Sequence, residues 1–304
     1  MSTFAFVYPG QGAQKPGMGR ALYEASSASR DAFGLASETL GMDMEALCFE
    51  AAPETLSRTE NAQSALFTVS MAAHFALEEA GVIPGAVAGF SLGECAALCA
   101  AGYISWADGL RLVRARADAM QEAAESHPGM MAAVLGLSWE AVENLCAQTE
   151  GFAQPVNDNA PGQTVVAGVP DAMAELSRRA VEAGAKVVPL AVSAAFHTAH
   201  MAQAGTSLEE YMRQTLIFRT GGFPLYTNLT GALLPVGVDL PAHMAAQLQS
   251  PVRWRESILA MRAAGIDTFV EVGEGRTLSA LIRRIDRGAV CLTTGSLEDI
   301  QKCL

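Results

Sequence analysis

The short apolar run Ala86-Val87-Ala88 feeds directly into Gly89-Phe90-Ser91-Leu92-Gly93-Glu94, and an alanine-rich, proline-free stretch follows to Ala101. Strand, tight glycine-flanked turn and helix is the context in which a G-x-S-x-G presents a nucleophilic serine. The glycines allow the backbone to bend sharply and let strand and helix approach, while the serine occupies a strained turn. The helix that follows aims its first amides at Ser91, which favours negative charge developing there. The pentapeptide is common in unrelated chains, so its weight comes from this setting.

With 304 residues the chain can bury a large core, and half of them are hydrophobic while only 17% are charged. The net charge of -12 excludes a broadly basic nucleic-acid-binding face. No stretch reaches the roughly 18 uninterrupted apolar residues of a membrane span, since Glu78, Glu79 and Glu94 break the alanine-rich region. The start, Met1-Ser2-Thr3-Phe4, carries no basic residue ahead of a short apolar run and so does not read as a signal peptide. Six cysteines without CxxC pairs read as reduced thiols. Together these features predict an acidic cytoplasmic protein with no membrane or nucleic-acid partner.

Phe4 to Tyr8 reads as a buried parallel strand running into a loop, Pro9-Gly10-Gln11-Gly12-Ala13-Gln14. Ser64 to Ala80 is apolar on most sides and predicts a central helix, and Trp106 to about Glu125 predicts another. Alternating strands and helices imply an α/β fold with a mostly parallel sheet covered on both faces. From about Met130 the rhythm changes. Strands at Met130–Leu137, Phe152–Asn157, Thr164–Ala167 and Ala185–Leu190 alternate with helices at Trp139–Gln148 and Asp171–Ala183, with a turn at Asn159-Ala160-Pro161-Gly162. This βαββαβ order predicts a small ferredoxin-like subdomain, residues 128–191, inserted into a large α/β-hydrolase-like domain formed by 1–127 and 192–304. Thr268 to Gly273 reads as the last core strand, ahead of an amphipathic helix around Leu281-Ile282-Arg283-Arg284.

A serine nucleophile needs a base, and five histidines are present. His74 lies inside an apolar helix and reads as a core residue, His127 as an exposed turn residue and His243 as part of a surface helix. His197 follows a predicted strand and the small residues Ser193-Ala194-Ala195, which places it at a strand-end loop where α/β folds put active-site groups. It is the best base candidate by position. His197 and His200 lack an acidic or cysteine partner at ligand spacing, so no metal site is expected. Arg116, taken alone, reads as a solvated helix residue like Arg111 and Arg114.

These segments together resemble the malonyl-CoA:acyl carrier protein transacylases and the related acyltransferase domains of polyketide and fatty acid synthases. The resemblance runs through Pro9 to Gln14 with Gly17-Met18-Gly19, Gly89 to Glu94, and Arg116 with Met120-Gln121. It continues through Asn157 to Gln163, Ala195-Phe196-His197, Gln247-Leu248 with Pro251-Val252-Arg253-Trp254, and Glu271-Val272-Gly273 with Leu278. These motifs cover almost the whole chain, in order.

The resemblance implies transfer of malonyl from CoA to the phosphopantetheine thiol of holo acyl carrier protein, in fatty acid synthesis, by a monomer needing no cofactor. A polyketide acyltransferase or the malonyl-transfer subunit of a malonate decarboxylase would share that chemistry. It further implies Ser91 as nucleophile, His197 as base, an oxygen of the Gln247 segment orienting the imidazole, and the N–H groups of Leu92 and Gln11 as oxyanion donors. Arg116 becomes the partner of the malonyl carboxylate, and Phe196 accompanies preference for an unbranched malonyl group. Asn159 either shapes the acyl site or serves the turn, and both roles stay open. Phe90 stands where the family most often has histidine, which bears on the acyl pocket wall, and Glu274 where it commonly has proline. A hydrolase or thioesterase built on the same elbow is disfavoured by Arg116, the Gln11 loop and the lack of an evident acidic triad member; a non-catalytic scaffold is disfavoured by the intact Ser91/His197 pair. A carrier-docking patch is expected at Arg283, Arg284 and Arg287.

Overall fold

The strand entering the elbow lies inside a five-stranded sheet whose strands all run parallel. The computed structural model describes residues 4–304, so the reading of Met1 to Thr3 lies outside the described residues. In chain order the strands are β1 (Phe4–Tyr8), β2 (Ala86–Gly89), β3 (Met130–Leu135), β4 (Ala153–Ala160), β5 (Gln163–Gly168), β6 (Lys186–Pro189), β7 (Leu225–Tyr226), β8 (Thr268–Glu271) and β9 (Val290–Thr293). The parallel sheet has the order β7-β2-β1-β8-β9, with Tyr8 beside Gly89 and Val7 beside Glu271. β1 and β2 are buried almost throughout, as expected of strands covered on both faces. Among the described residues no helix is long and apolar enough to cross a membrane.

Helix Thr59–Glu79 is buried along most of its length, packed against helices Ser27–Leu40 and Trp106–Ser126, the central place its near-continuous apolar pattern predicts. Ser105 caps the latter helix by accepting the Asp108 N–H at 3.1 Å, satisfying a first-turn donor. His74 is a satisfied core histidine: Nδ1 meets the Tyr8 hydroxyl at 2.8 Å and Nε2 lies 3.2 Å from Glu78. All six cysteines are free thiols.

Residues 130–189 form a separate antiparallel sheet in the order β4-β5-β3-β6, with helices Trp139–Ala147 and Pro170–Glu182 packed against it. Element order and strand order are those of the ferredoxin-like unit. Here the hairpin is tighter than the sequence suggests. Asn159 and Ala160 are still part of β4, with Ala160 paired to Gln163, so the turn is Pro161-Gly162 alone, with Gly162 at φ 68°. Two strands escaped the sequence reading. β7 is only two residues long, and β9 adds a parallel edge strand beyond the expected last one.

Candidate active site

The elbow is compressed to the point where only glycine fits at its two ends. A Cβ on Gly89 would collide with the backbone of Gly93 and Glu94, and a Cβ on Gly93 would collide with the Tyr8 carbonyl. Neither glycine needs a positive φ; close approach of strand and helix demands them. The positive φ falls on Ser91 itself, at 52°. Helix Gly93–Ala100 starts immediately after it.

His197 is the other described non-glycine residue at positive φ, at 61°. Its loop is pinned by the Thr198 hydroxyl donating to the Ala195 carbonyl at 2.6 Å and by Gln154 Nε2 donating to the His197 carbonyl at 3.4 Å. His197 Nε2 lies 2.7 Å from Ser91 Oγ, and Nδ1 lies 3.1 Å from the main-chain carbonyl of Gln247. A carbonyl can only accept, so the proton sits on Nδ1 and the Nε2 lone pair faces the hydroxyl. Burial, then the positive charge of Arg116, push the imidazole pKa down to about 4, which keeps the ring neutral at ordinary pH. The resemblance placed the orienting oxygen in the Gln247 segment; it is the backbone oxygen. The Gln247 side chain instead donates from Nε2 to the Ser91 carbonyl at 3.0 Å.

Arg116 is not a solvated helix residue. It is 1% exposed, with Nη2 donating to Ser91 Oγ at 3.1 Å and Nη1 to Gln63 Oε1 at 2.8 Å. Its Nε has no partner, and among the described residues no carboxylate pairs with it. An unpaired guanidinium is expensive to bury, and its fork is built to take a carboxylate or phosphate. Gln63, which holds the fork in place, went unnoticed in the sequence because it lies in a helix that is apolar on most sides.

A cleft of about 490 Å³ opens over these groups, a volume suited to a small-molecule substrate. Gln11, Phe90, Asn159, Phe196 and Met120 line it with Ser91, Arg116 and His197. The Gln11 loop is drawn against the elbow by the Phe90 N–H, which donates to the Tyr8 carbonyl at 2.9 Å, and by Gly10, where a Cβ would strike the Phe90 carbonyl. Among the described residues no acceptor takes the backbone N–H of Gln11 or of Leu92. Phe90 packs edge-on against Trp254 with ring centroids 5.6 Å apart, so it forms a rigid apolar wall. Asn159 Oδ1 is buried and unpartnered in the same cleft.

Two further groups hold the site together. Asn228, just after β7, accepts the Ser91 N–H on Oδ1 and donates from Nδ2 to the Gly89 carbonyl, each at 2.6 Å. Glu94, fully buried, accepts the Asn228 N–H at 2.8 Å and Gln247 Nε2 at 3.3 Å. His243 is not a surface residue: it is 8% exposed, and its Nε2 lies 3.5 Å from Glu94 Oε1. Among the described residues no carboxylate bonds to the His197 ring, so the site lacks the acidic arm of a Ser-His-Asp triad.

The chain is similar to known proteins over nearly its whole length. The family model for the acyl transferase domain matches residues 5–296. The malonyl CoA-acyl carrier protein transacylase of Bacillus subtilis (strain 168) is 38% identical over 99% of this chain and 96% of its own length. The protein of the same name from Staphylococcus aureus (strain MRSA252) is 36% identical over 99% and 98%. Among solved structures, the malonyl-CoA:acyl carrier protein transacylase of Xanthomonas oryzae pv. oryzae superposes with a TM-score of 0.95 at 37% identity, covering 100% of this chain and 98% of that one. A malonyl-transacylase solved in complex with its holo type II PKS acyl-carrier protein gives 0.95 at 34% identity, covering 100% and 99%. From the match across nearly its full length, the chain belongs to the acyl transferase domain family and, within it, to the malonyl CoA-acyl carrier protein transacylases.

Proposed function

We propose that this protein transfers a malonyl group from CoA to the phosphopantetheine thiol of holo acyl carrier protein through a malonyl-Ser91 ester, supplying fatty acid synthesis. The observation that carries the reading is Arg116, a buried guanidinium without a carboxylate partner, 3.1 Å from the hydroxyl that His197 is placed to deprotonate. The relatives' names support the choice of donor and acceptor.

In the first half-reaction Ser91 Oγ attacks the thioester carbonyl carbon while His197 Nε2 takes its proton. The oxygen that becomes negative is received by the Leu92 and Gln11 N–H groups; losing one such donor typically costs about 2.7–4 kcal/mol of barrier. The tetrahedral intermediate collapses, the carbon–sulfur bond breaks, and the imidazolium returns its proton to the departing CoA sulfur. The carrier thiol then repeats the sequence in reverse, its proton passing to His197 and back to Ser91. Nδ1 stays bonded to the Gln247 carbonyl throughout, a weaker support than a carboxylate but adequate for a donor with a good leaving group. The malonyl carboxylate replaces Ser91 Oγ as the partner of Arg116, which frees the hydroxyl for attack and fixes the carbonyl beside it. Phe90 and Phe196 bound the acyl end.

Intact-protein mass spectrometry after mixing with malonyl-CoA tests the scheme. A malonyl adduct should form, vanish in Ser91→Ala, and pass to added holo carrier protein. Release to water alone would instead establish a hydrolase.

A further inference from the structure

Ser91 and His197 are closed into a ring by three residues that do not line the cleft, Asn228, Gln247 and Glu94. Ser91 is held by Asn228 from its N–H and by Gln247 from its carbonyl. Both of those residues donate to Glu94 Oε2, Asn228 through its backbone N–H at 2.8 Å and Gln247 through Nε2 at 3.3 Å. The Gln247 carbonyl then takes His197 Nδ1–H, and His197 Nε2 returns to Ser91 Oγ. One carboxylate oxygen therefore joins the two arms that position nucleophile and base, residues whose backbones are both in the left-handed region. The second oxygen, Oε1, is buried, makes no hydrogen bond and faces His243 Nε2 at 3.5 Å.

A glutamine carbonyl would accept the same two donors without the cost of burying a charge. What a carboxylate adds is a negative potential beside the Gln247 side chain, in a dry region where such potentials are weakly screened. That potential favours the imidazolium that forms as Ser91 attacks. We propose that Glu94 is the positioning carboxylate of the Ser91–His197 pair, acting through Asn228 and Gln247 without touching the imidazole, with His243 facing its second oxygen. The proposal rests on Ser91 being the acylated group.

The test compares wild type with Glu94→Gln in two reactions: acylation of Ser91 by malonyl-CoA, and its inactivation by phenylmethylsulfonyl fluoride, which needs no carboxylate recognition. Glu94→Gln keeps the shape and should melt near wild type. Its affinity for malonyl-CoA, measured in the Ser91→Ala background, should stay within about twofold, while both reaction rates fall roughly 10–100-fold, the scale of one charge-assisted bond. Unchanged rates overturn the proposal, as does a loss of affinity equal to the loss of rate, which would make Glu94 a packing residue. If wild type reacts with the sulfonyl fluoride and not with malonyl-CoA, the malonyl reading fails, and the sulfonylation rates alone decide the role of Glu94. His243 supplies a second arm should Glu94→Gln fail to fold. His243→Leu removes the polar group that faces Oε1 and should slow both reactions, and His243→Gln should restore them; equal rates in the two variants overturn the proposal.

Discussion

Ser91 and His197, 106 residues apart in sequence, meet at 2.7 Å, and they are the two described non-glycine residues with positive φ. Left-handed backbone costs such residues about 1–3 kcal/mol each and persists only where the surroundings over-determine it. The surroundings here are specific: Asn228 on the Ser91 amide, Gln247 on its carbonyl, and Thr198 and Gln154 on the histidine loop. Strain thus sits on Ser91 and His197, and its cost is offset by the hydrogen bonds of the residues around them.

The elbow glycines give the most direct check of that compression. Gly93→Ala drives a methyl into the Tyr8 carbonyl and Gly89→Ala into the start of the next helix, in each case against backbone that cannot rotate away. Each variant should lose at least the ~1–3 kcal/mol of an overpacked core site in urea denaturation. Gly12→Ala, where nothing lies near the added methyl, is the control, although its φ of 106° still disfavours alanine. Elbow variants as stable as wild type would contradict this close packing of strand and helix.

Arg116 predicts a split in acyl selectivity. Arg116→Ala removes the partner of a malonyl carboxylate and should lower malonyl loading by roughly 100-fold or more, the scale of a charge-assisted bidentate pair in a dry site. Acetyl loading, which has no carboxylate to bury, should be retained or rise. Loading from acetyl-CoA and malonyl-CoA is measured side by side by mass spectrometry. An equal fall in both assigns Arg116 to packing with Gln63.

The depressed pKa of His197 sets the pH dependence. With a folded-state value of about 4, the base form persists well below the ordinary 6.5, so kcat/KM for malonyl-CoA should hold down to about pH 4–5. Arg116 is the second cause of the lowering, and a bound carboxylate neutralises it. The acid limb of kcat should therefore lie at higher pH than that of kcat/KM. Folding follows the same group. Between pH 6.5 and 4 the unfolded chain protonates this histidine and the native state does not, so stability falls as pH falls through that window. The loss from this residue is about 3 kcal/mol, from a 2.5-unit difference at 1.36 kcal/mol per unit. His197→Gln should flatten this part of the stability profile, read from denaturation midpoints at pH 4.5 and 7.

How much of this was legible in the residues follows from how each residue announces itself. β1, β2 and the elbow were legible because buried parallel strands form continuous apolar runs, and a strand-turn-helix junction forces glycine at fixed spacing. His197 was legible from its place at a strand end. Arg116 was not: on a helix beside Arg111 and Arg114 nothing local marks one arginine as buried, and only the family resemblance singled it out. Asn228 follows a two-residue strand too short to show periodicity. His243 was placed on a surface, yet helix Leu240–Leu248 is buried on most of its faces, so its one titratable side chain points inward to Glu94. Gln247 was identified, but a sequence cannot show that its backbone oxygen does the orienting while its side chain braces the serine.

The chain and a typical carrier are both acidic, so attraction must come from a local cationic rim. Arg284 lies at such a rim, donating to Gln163 Oε1 at 2.7 Å and to the Pro161 carbonyl at 3.3 Å, on the hairpin that borders the cleft. Arg283, on the same helix, donates to the Cys291 carbonyl at 3.1 Å on the side away from the cleft and shares a groove with Arg276 and Lys302. Charge reversal at Arg284 should raise KM for holo carrier protein by roughly 3–10-fold, with a weaker salt dependence, because rim charges act mainly on encounter. The rate of Ser91 malonylation from malonyl-CoA is the control and should stay near wild type. Arg283→Glu should have the smaller effect. An unchanged KM in both variants would remove this helix from the docking surface.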